Sequence, residues 1–150
     1  MKDRHFPRQR SRRPSGPVEV LFDPAKPDTE LFDTLAEKQA EQLEVNSSQL
    51  RRFFGEIKDL YRRFNALASG EAEQRRQEIY STQIEPRFKM VRSKVAYATR
   101  AGGQTKLPER FAEFLKTGIQ RVGNQEEFVR FIMHVEAVVG FMYGKGKVKQ

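Results

Sequence analysis

Leu50, Phe53, Phe54, Ile57, Leu60, Tyr61, Phe64 and Leu67 recur at steps of three and four residues through SSQLRRFFGEIKDLYRRFNALA, residues 47–68. That spacing predicts a long helix with one apolar face. Asn46 or Ser47 caps its start, Asn46 having, with Gln49 three residues on, the spacing of a capping box, and Ser69-Gly70 marks its end. The same period returns in Phe128, Phe131, Ile132, Val135, Val138, Val139 and Met142, opened by Asn124 with Glu127 and stopped by Gly144. Between them, Ile84, Phe88, Val91, Val95 and Ala98 mark a helix expected to start at Glu71 and to end at Gly102-Gly103. Pro86 predicts a kink or break near Gln83–Glu85. Pro108 opens a further helix with Phe111, Phe114, Leu115, Ile119 and Val122 inward. Ahead of all these, Asp28 is a plausible cap for a weakly amphipathic helix from Thr29 to Glu44, with Leu31, Leu35 and Leu43 as its apolar positions. VEVLFDP, residues 18–24, reads as a short extended segment docking on the body. No stretch alternates with period two for long enough to make a sheet. The pattern predicts an all-α chain: a bundle of about five helices without internal repeat, its body over residues 45–143.

Charge divides the chain further. Residues 1–17 hold six Lys/Arg against one Asp, a surplus of +5, and have almost nothing to bury, so they read as a disordered basic arm. Residues 18–44 hold two Lys/Arg against eight acids, −6, an acidic linker and first helix. Residues 45–150 hold twenty against eleven, +9, and end in a basic tail over residues 144–150. A body of that sign binds phosphate without help from the arm. The chain has 150 residues and no cysteine, which excludes a disulfide framework, thiolate zinc and a cysteine nucleophile. No apolar run approaches the roughly 18 residues of a membrane span. The basic start is followed only by the short VEVLF, too brief for a signal-peptide core. A cytoplasmic protein with no membrane partner is expected.

The polar faces carry the candidate chemistry. Arg51, Gly55, Lys58 and Arg62 follow the i, i+4, i+7, i+11 spacing, which confines them to a stripe roughly 60° wide beside the apolar face. A mid-helix glycine costs about 1 kcal/mol relative to alanine, so Gly55 suggests a close approach to the backbone. Lys89, Ser93, Ala96 and Arg100 repeat the design on the next helix, with Arg92 flanking. Two basic rows lining one groove suit phosphates spaced along a nucleic acid strand. The bland alternative is that both are solvated helix faces. Tyr97 lies off the apolar stripe and either stacks on a base or covers the edge of the bundle. Met133, His134 and Phe141 project away from the core stripe of the last helix and form a candidate protein-contact patch; the alternative is that this helix is central and buried on most sides. Neither His134 nor His5 has a partner at metal-ligand spacing, and Glu126 with Glu127 is a helix start. No phosphate-loop, nucleophile-elbow or zinc-helix motif occurs. Neither catalytic residues, nor a metal, nor a cofactor is expected.

Three segments resemble a known family. S-S-Q-L-R-R-F-F-G-E-I after Asn46, I-E-P-R-F-K-M-V-R-S-K-V-A-Y-A-T-R from Ile84, and F-x-x-F-x-x-x-x-E-A-V-V-G-F from Phe128 are similar, in order, to segments of the small subunit of type III-A CRISPR–Cas (Csm) effector complexes. The resemblance spans roughly residues 45–143. It implies a prokaryotic, non-enzymatic helical subunit serving antiviral defence. Several copies would stack along the guide RNA–target RNA duplex, beside backbone and large subunits. Arg51, Lys89 and Arg100 fall on basic positions of the family, whereas Lys58, Arg62 and Arg92 rest on the helical projection. Residues 1–44 depart from the shorter family pattern, and Gly140 and Phe141 replace its usual Ala and Tyr. Two other functions compete: a free-standing helical adaptor for acidic proteins, and a small nuclease. The nuclease is disfavoured because phosphodiester cleavage normally needs clustered carboxylates, histidines or Lys–His pairs.

Overall fold

The computed structural model describes residues 16–100 and 106–150. The basic arm therefore lies outside the described residues, except for Gly16 and Pro17. So do Gly102 and Gly103.

Five helical segments follow one another among the described residues. A π-helical turn, Glu30–Thr34, runs into α1 (Leu35–Glu41), shorter than the expected Thr29–Glu44. β1 (Val45–Asn46) leads into α2 (Ser47–Ala68), where Asn46 Oδ1 accepts from the Gln49 amide at 2.8 Å. A cap of this kind stabilises a helix by about 1 kcal/mol. α3 (Glu73–Ile79) passes through a second π turn, Tyr80–Ile84, into α4 (Glu85–Ala98). The expected interruption is thus one widened turn. It places Pro86 in the first turn of α4, directly after the widened turn, where the regular ladder is already interrupted. α5 (Glu109–Arg121) starts after Pro108, and α6 (Gln125–Gly144) starts at Asn124, whose Oδ1 accepts from the Glu127 amide at 2.8 Å.

α6 is the axis of the core. Phe128 meets Phe88, Tyr80 and Phe64 with ring centres 4.9, 5.3 and 5.8 Å apart. One turn on, Phe131 meets Phe22 at 5.0 Å and Phe88 at 5.9 Å. Each buried Phe contributes about 1.5–3 kcal/mol of transfer free energy. Gly118 lets α5 cross here, since a Cβ on it would stand 2.4 Å from Phe131 Cε1. Leu67, expected on the apolar face of α2, is 42% exposed near the helix end.

The acidic N-terminal segment wraps this core. Residues 17–23 are extended without a strand partner. Their backbone polar groups are satisfied by side chains instead: the Leu21 amide donates to Gln39 Oε1 at 2.7 Å, and Gln39 Nε2 donates to the Glu19 carbonyl at 3.1 Å. Arg110 donates to the carbonyls of Gly16, Pro17 and Gln42, and Arg121 to those of Val20 and Phe22. Arg130 donates to Asp28 at 2.5 Å and to the carbonyls of Pro24 and Lys26. The basic tail is docked too. β2 (Val148–Lys149) pairs in parallel with β1, Val45 opposite Val148, while Lys145 reaches Glu37 at 3.1 Å and Glu41 at 3.6 Å.

Candidate nucleic-acid interface

On α2, side chains at different angles around the axis meet different neighbours. Leu50, Phe53, Ile57, Leu60 and Phe64 point into the core. On one flank Lys58 turns to α6 and pairs with Glu136 at 2.7 Å, its side chain only 22% exposed. On the other flank Glu56 pairs with Lys94 of α4. Arg51 and Arg62 lie on the outward ridge between these flanks. Arg51 is exposed and makes no hydrogen bond or ion pair with another described residue. Arg62 has a one-turn pair with exposed Asp59 at 2.7 Å, of a kind worth at most a few tenths of a kcal/mol. Among the described residues, nothing outside α2's own backbone comes within 4 Å of where a Gly55 Cβ would stand, so the ridge is open there.

The second row changes character. Lys89 Nζ donates to the carbonyls of Ile119 at 2.7 Å and Val122 at 2.6 Å. It thereby closes the C-terminal end of α5, whose last carbonyls lack intrahelical partners. Burial lowers its pKa, with Arg92 adding to the effect. Lys89 is a structural cap rather than an outward cation. Arg92 is exposed and free of ion pairs with other described residues. Arg100 is exposed; its Nη1 donates to the Tyr97 carbonyl at 2.9 Å, and its guanidinium lies 3.7 Å from the centre of the Tyr97 ring.

The two expected rows do not line one groove. α4 presents Lys89 to α5 and Lys94 to α2, so its row turns away from Arg51 and Arg62. The groove that does lie between α2 and α4, about 440 Å³, is lined by Glu56, Asp59, Leu60, Arg63, Arg87, Met90 and Lys94. Arg63, Arg87 and Lys94 are cations that helical spacing alone did not single out. The signal lay in the sequence, because Arg87 and Lys94 sit on the flank of α4 opposite Lys89. Choosing it required knowing on which side α2 packs.

The expected contact patch on α6 also divides. His134 is fully buried, correcting its assignment to an exposed patch. The extended segment, α5 and the first π turn cover that flank: Phe22 lies 5.5 Å from the imidazole, Phe114 of α5 lies 6.0 Å away, and Nδ1 donates to the Leu31 carbonyl at 2.6 Å. A carbonyl only accepts, so the proton sits on Nδ1 and Nε2 is left without a partner among the described residues. Burial pushes the His134 pKa down, and the Leu31 bond opposes this. Phe141 is half-buried against the core, and Met133 is 41% exposed. The three do not form one accessible surface.

Among the described residues, no group of three or more His, Cys, Asp or Glu side chains stands close enough to hold a metal ion, and no helix is long and apolar enough to cross a membrane. The family model described as Csm2 Type III-A matches residues 26–145. Neither a curated protein nor a solved structure matches the chain.

Proposed function

Since the chain belongs to the Csm2 family and is a subunit of the type III-A CRISPR complex, we propose that it works there as a non-catalytic RNA-binding element. In this reading, copies of the chain sit side by side along the guide RNA–target RNA duplex in the prokaryotic cytoplasm, against the backbone and large subunits. The outward cations Arg51 and Arg62 on α2, with Arg92 and Arg100 on α4, meet phosphates. Lys58 and Lys89 hold the protein's own helices.

What carries the reading is the outward ridge of α2, where Arg51 and Arg62 flank a glycine with open space beside it. A phosphate backbone approaches such a ridge closely and gains from each cation it meets, without its sequence being read. Fluorescence anisotropy with a labelled guide–target duplex and with single-stranded RNA tests the proposal. Both are expected to bind, with affinity falling steeply as salt rises, and neither is expected to be cut in Mg²⁺ or Mn²⁺. Absence of binding at low salt, or metal-dependent cleavage abolished by Glu126→Gln or Glu127→Gln, contradicts it.

A further inference from the structure

We infer that Tyr97 is a stacking platform for an unpaired RNA base, an inference that rests on the RNA-binding reading. The tyrosine is not covering the edge of the bundle. At 62% exposed it is the most open of the large hydrophobic side chains among the described residues. A single exposed aromatic is ordinary, and three further observations set this one apart. Arg100 lies over the ring at 3.7 Å, and its bond to the Tyr97 carbonyl at 2.9 Å fixes it there. Tyr143, the other strongly exposed tyrosine at 52%, has no cation over its ring among the described residues. Met90, two turns before Tyr97 on the same side of α4, is 51% exposed and belongs to the groove with Leu60, Arg63, Arg87 and Lys94. From Arg87 to Tyr97 the helix therefore presents cations and apolar surface alternately over about 15 Å.

That combination is what binds single-stranded nucleic acid without sequence preference: cations that follow the backbone and an aromatic face that accepts any base. Arg100 covers one face of the phenol ring and adds a cation–π contact; a base stacks on the other. Arg87 and Lys94 lie where the phosphates next to that base would run. Lys94 exchanges its surface pair with Glu56 for a phosphate at little cost, since exposed ion pairs contribute at most about 1 kcal/mol. An acidic protein segment is the competing occupant. It would use the same cations but has no need of an open ring face held under a guanidinium.

The test uses the full chain and a short single-stranded RNA carrying one 2-aminopurine, with an abasic RNA of equal length beside it. Wild type and Tyr97→Phe are expected to quench the aminopurine on binding. Tyr97→Leu is expected to leave it bright and to bind about five-fold or more weakly. Its slope of log K against log salt is expected to stay at the wild-type value, because stacking releases no counterions. On abasic RNA, wild type and Tyr97→Leu are expected to bind alike. Wild-type affinity and quenching in Tyr97→Leu overturn the inference. Loss of co-purification with the other type III-A subunits at unchanged RNA affinity also overturns it, making the ring a protein contact, while the RNA-binding reading stands. If wild type binds no RNA, both fall.

Discussion

Arg110, Arg121, Arg130 and Lys145, on α5, α6 and the tail, end on oxygens of the chain's N-terminal part, whereas Arg51, Arg87 and Arg92, on α2 and α4, end in solvent. Arg110, Arg121 and Arg130 grip the carbonyls of residues 16–26, and Lys145 holds Glu37 and Glu41. Arg51, Arg87 and Arg92 have no hydrogen bond or ion pair with another described residue. The difference comes from the −6 segment, residues 18–44, which lies across α5 and α6 and leaves the α2 and α4 faces open. A basic helix face is therefore not a binding surface by its charge alone. What matters is whether the chain has already supplied the acceptor.

The docked side is expected to be the more sensitive to substitution. Phe22 is fully buried against Phe131 and His134, so Phe22→Ala should cost about 3–5 kcal/mol in urea unfolding. A loss below about 1 kcal/mol would show the segment to be loosely attached. The same side carries a pH signature. His134 is neutral in the fold with its pKa below the ordinary 6.5, so the unfolded chain binds the additional proton. Its contribution is present in full above about pH 6.5 and declines as pH falls toward the lowered folded value. Between pH 7.5 and 5.5, His134→Gln should show a flatter decline in melting temperature than wild type. An identical decline would remove His134 as the cause.

Lys89 belongs to a helix of the open side yet is committed to the interior. Lys89→Met leaves the Ile119 and Val122 carbonyls without their ammonium and should cost about 1–3 kcal/mol. Its RNA salt slope should stay at the wild-type value; a slope flattened by a full counterion would return Lys89 to the phosphate-binding group. Lys58→Ala breaks one partly exposed pair with Glu136 and should cost about 0.2–1 kcal/mol. A cost above about 2 kcal/mol would mean that the pair clamps α2 to α6.

Most of the helical framework was legible because local rules decide it. Asn46 with Gln49 and Asn124 with Glu127 fixed two helix starts, and the apolar repeats of α2 and α6 named most of the core. Pro86 announced the distortion before α4 but not its form, since a π turn leaves no distinct spacing. The site was less legible. Arg51 and Arg62 are exposed, as a basic stripe beside the apolar face would be, but Lys58, Lys89 and His134 depend on which neighbour covers a flank. The cover over His134 is the extended segment, whose docking the apolar run VEVLF announced but whose placement is set by arginines bonding to backbone carbonyls. Such bonds accept any sequence, so nothing in residues 17–26 advertised them.

The central claim is that outward cations, rather than net charge, hold RNA. The most direct measurement compares salt slopes for Arg51→Ala with Arg62→Ala and for Lys145→Ala with Lys149→Ala, which remove equal charge from the two sides. Both pairs are surface changes, expected to cost within about 0.5 kcal/mol per residue in stability. The α2 pair is expected to flatten the slope of log K against log salt by about 1.4–1.8, roughly 0.7–0.9 for each phosphate left without its cation, while the tail pair leaves it nearly unchanged. Equal flattening by the two pairs would contradict the claim.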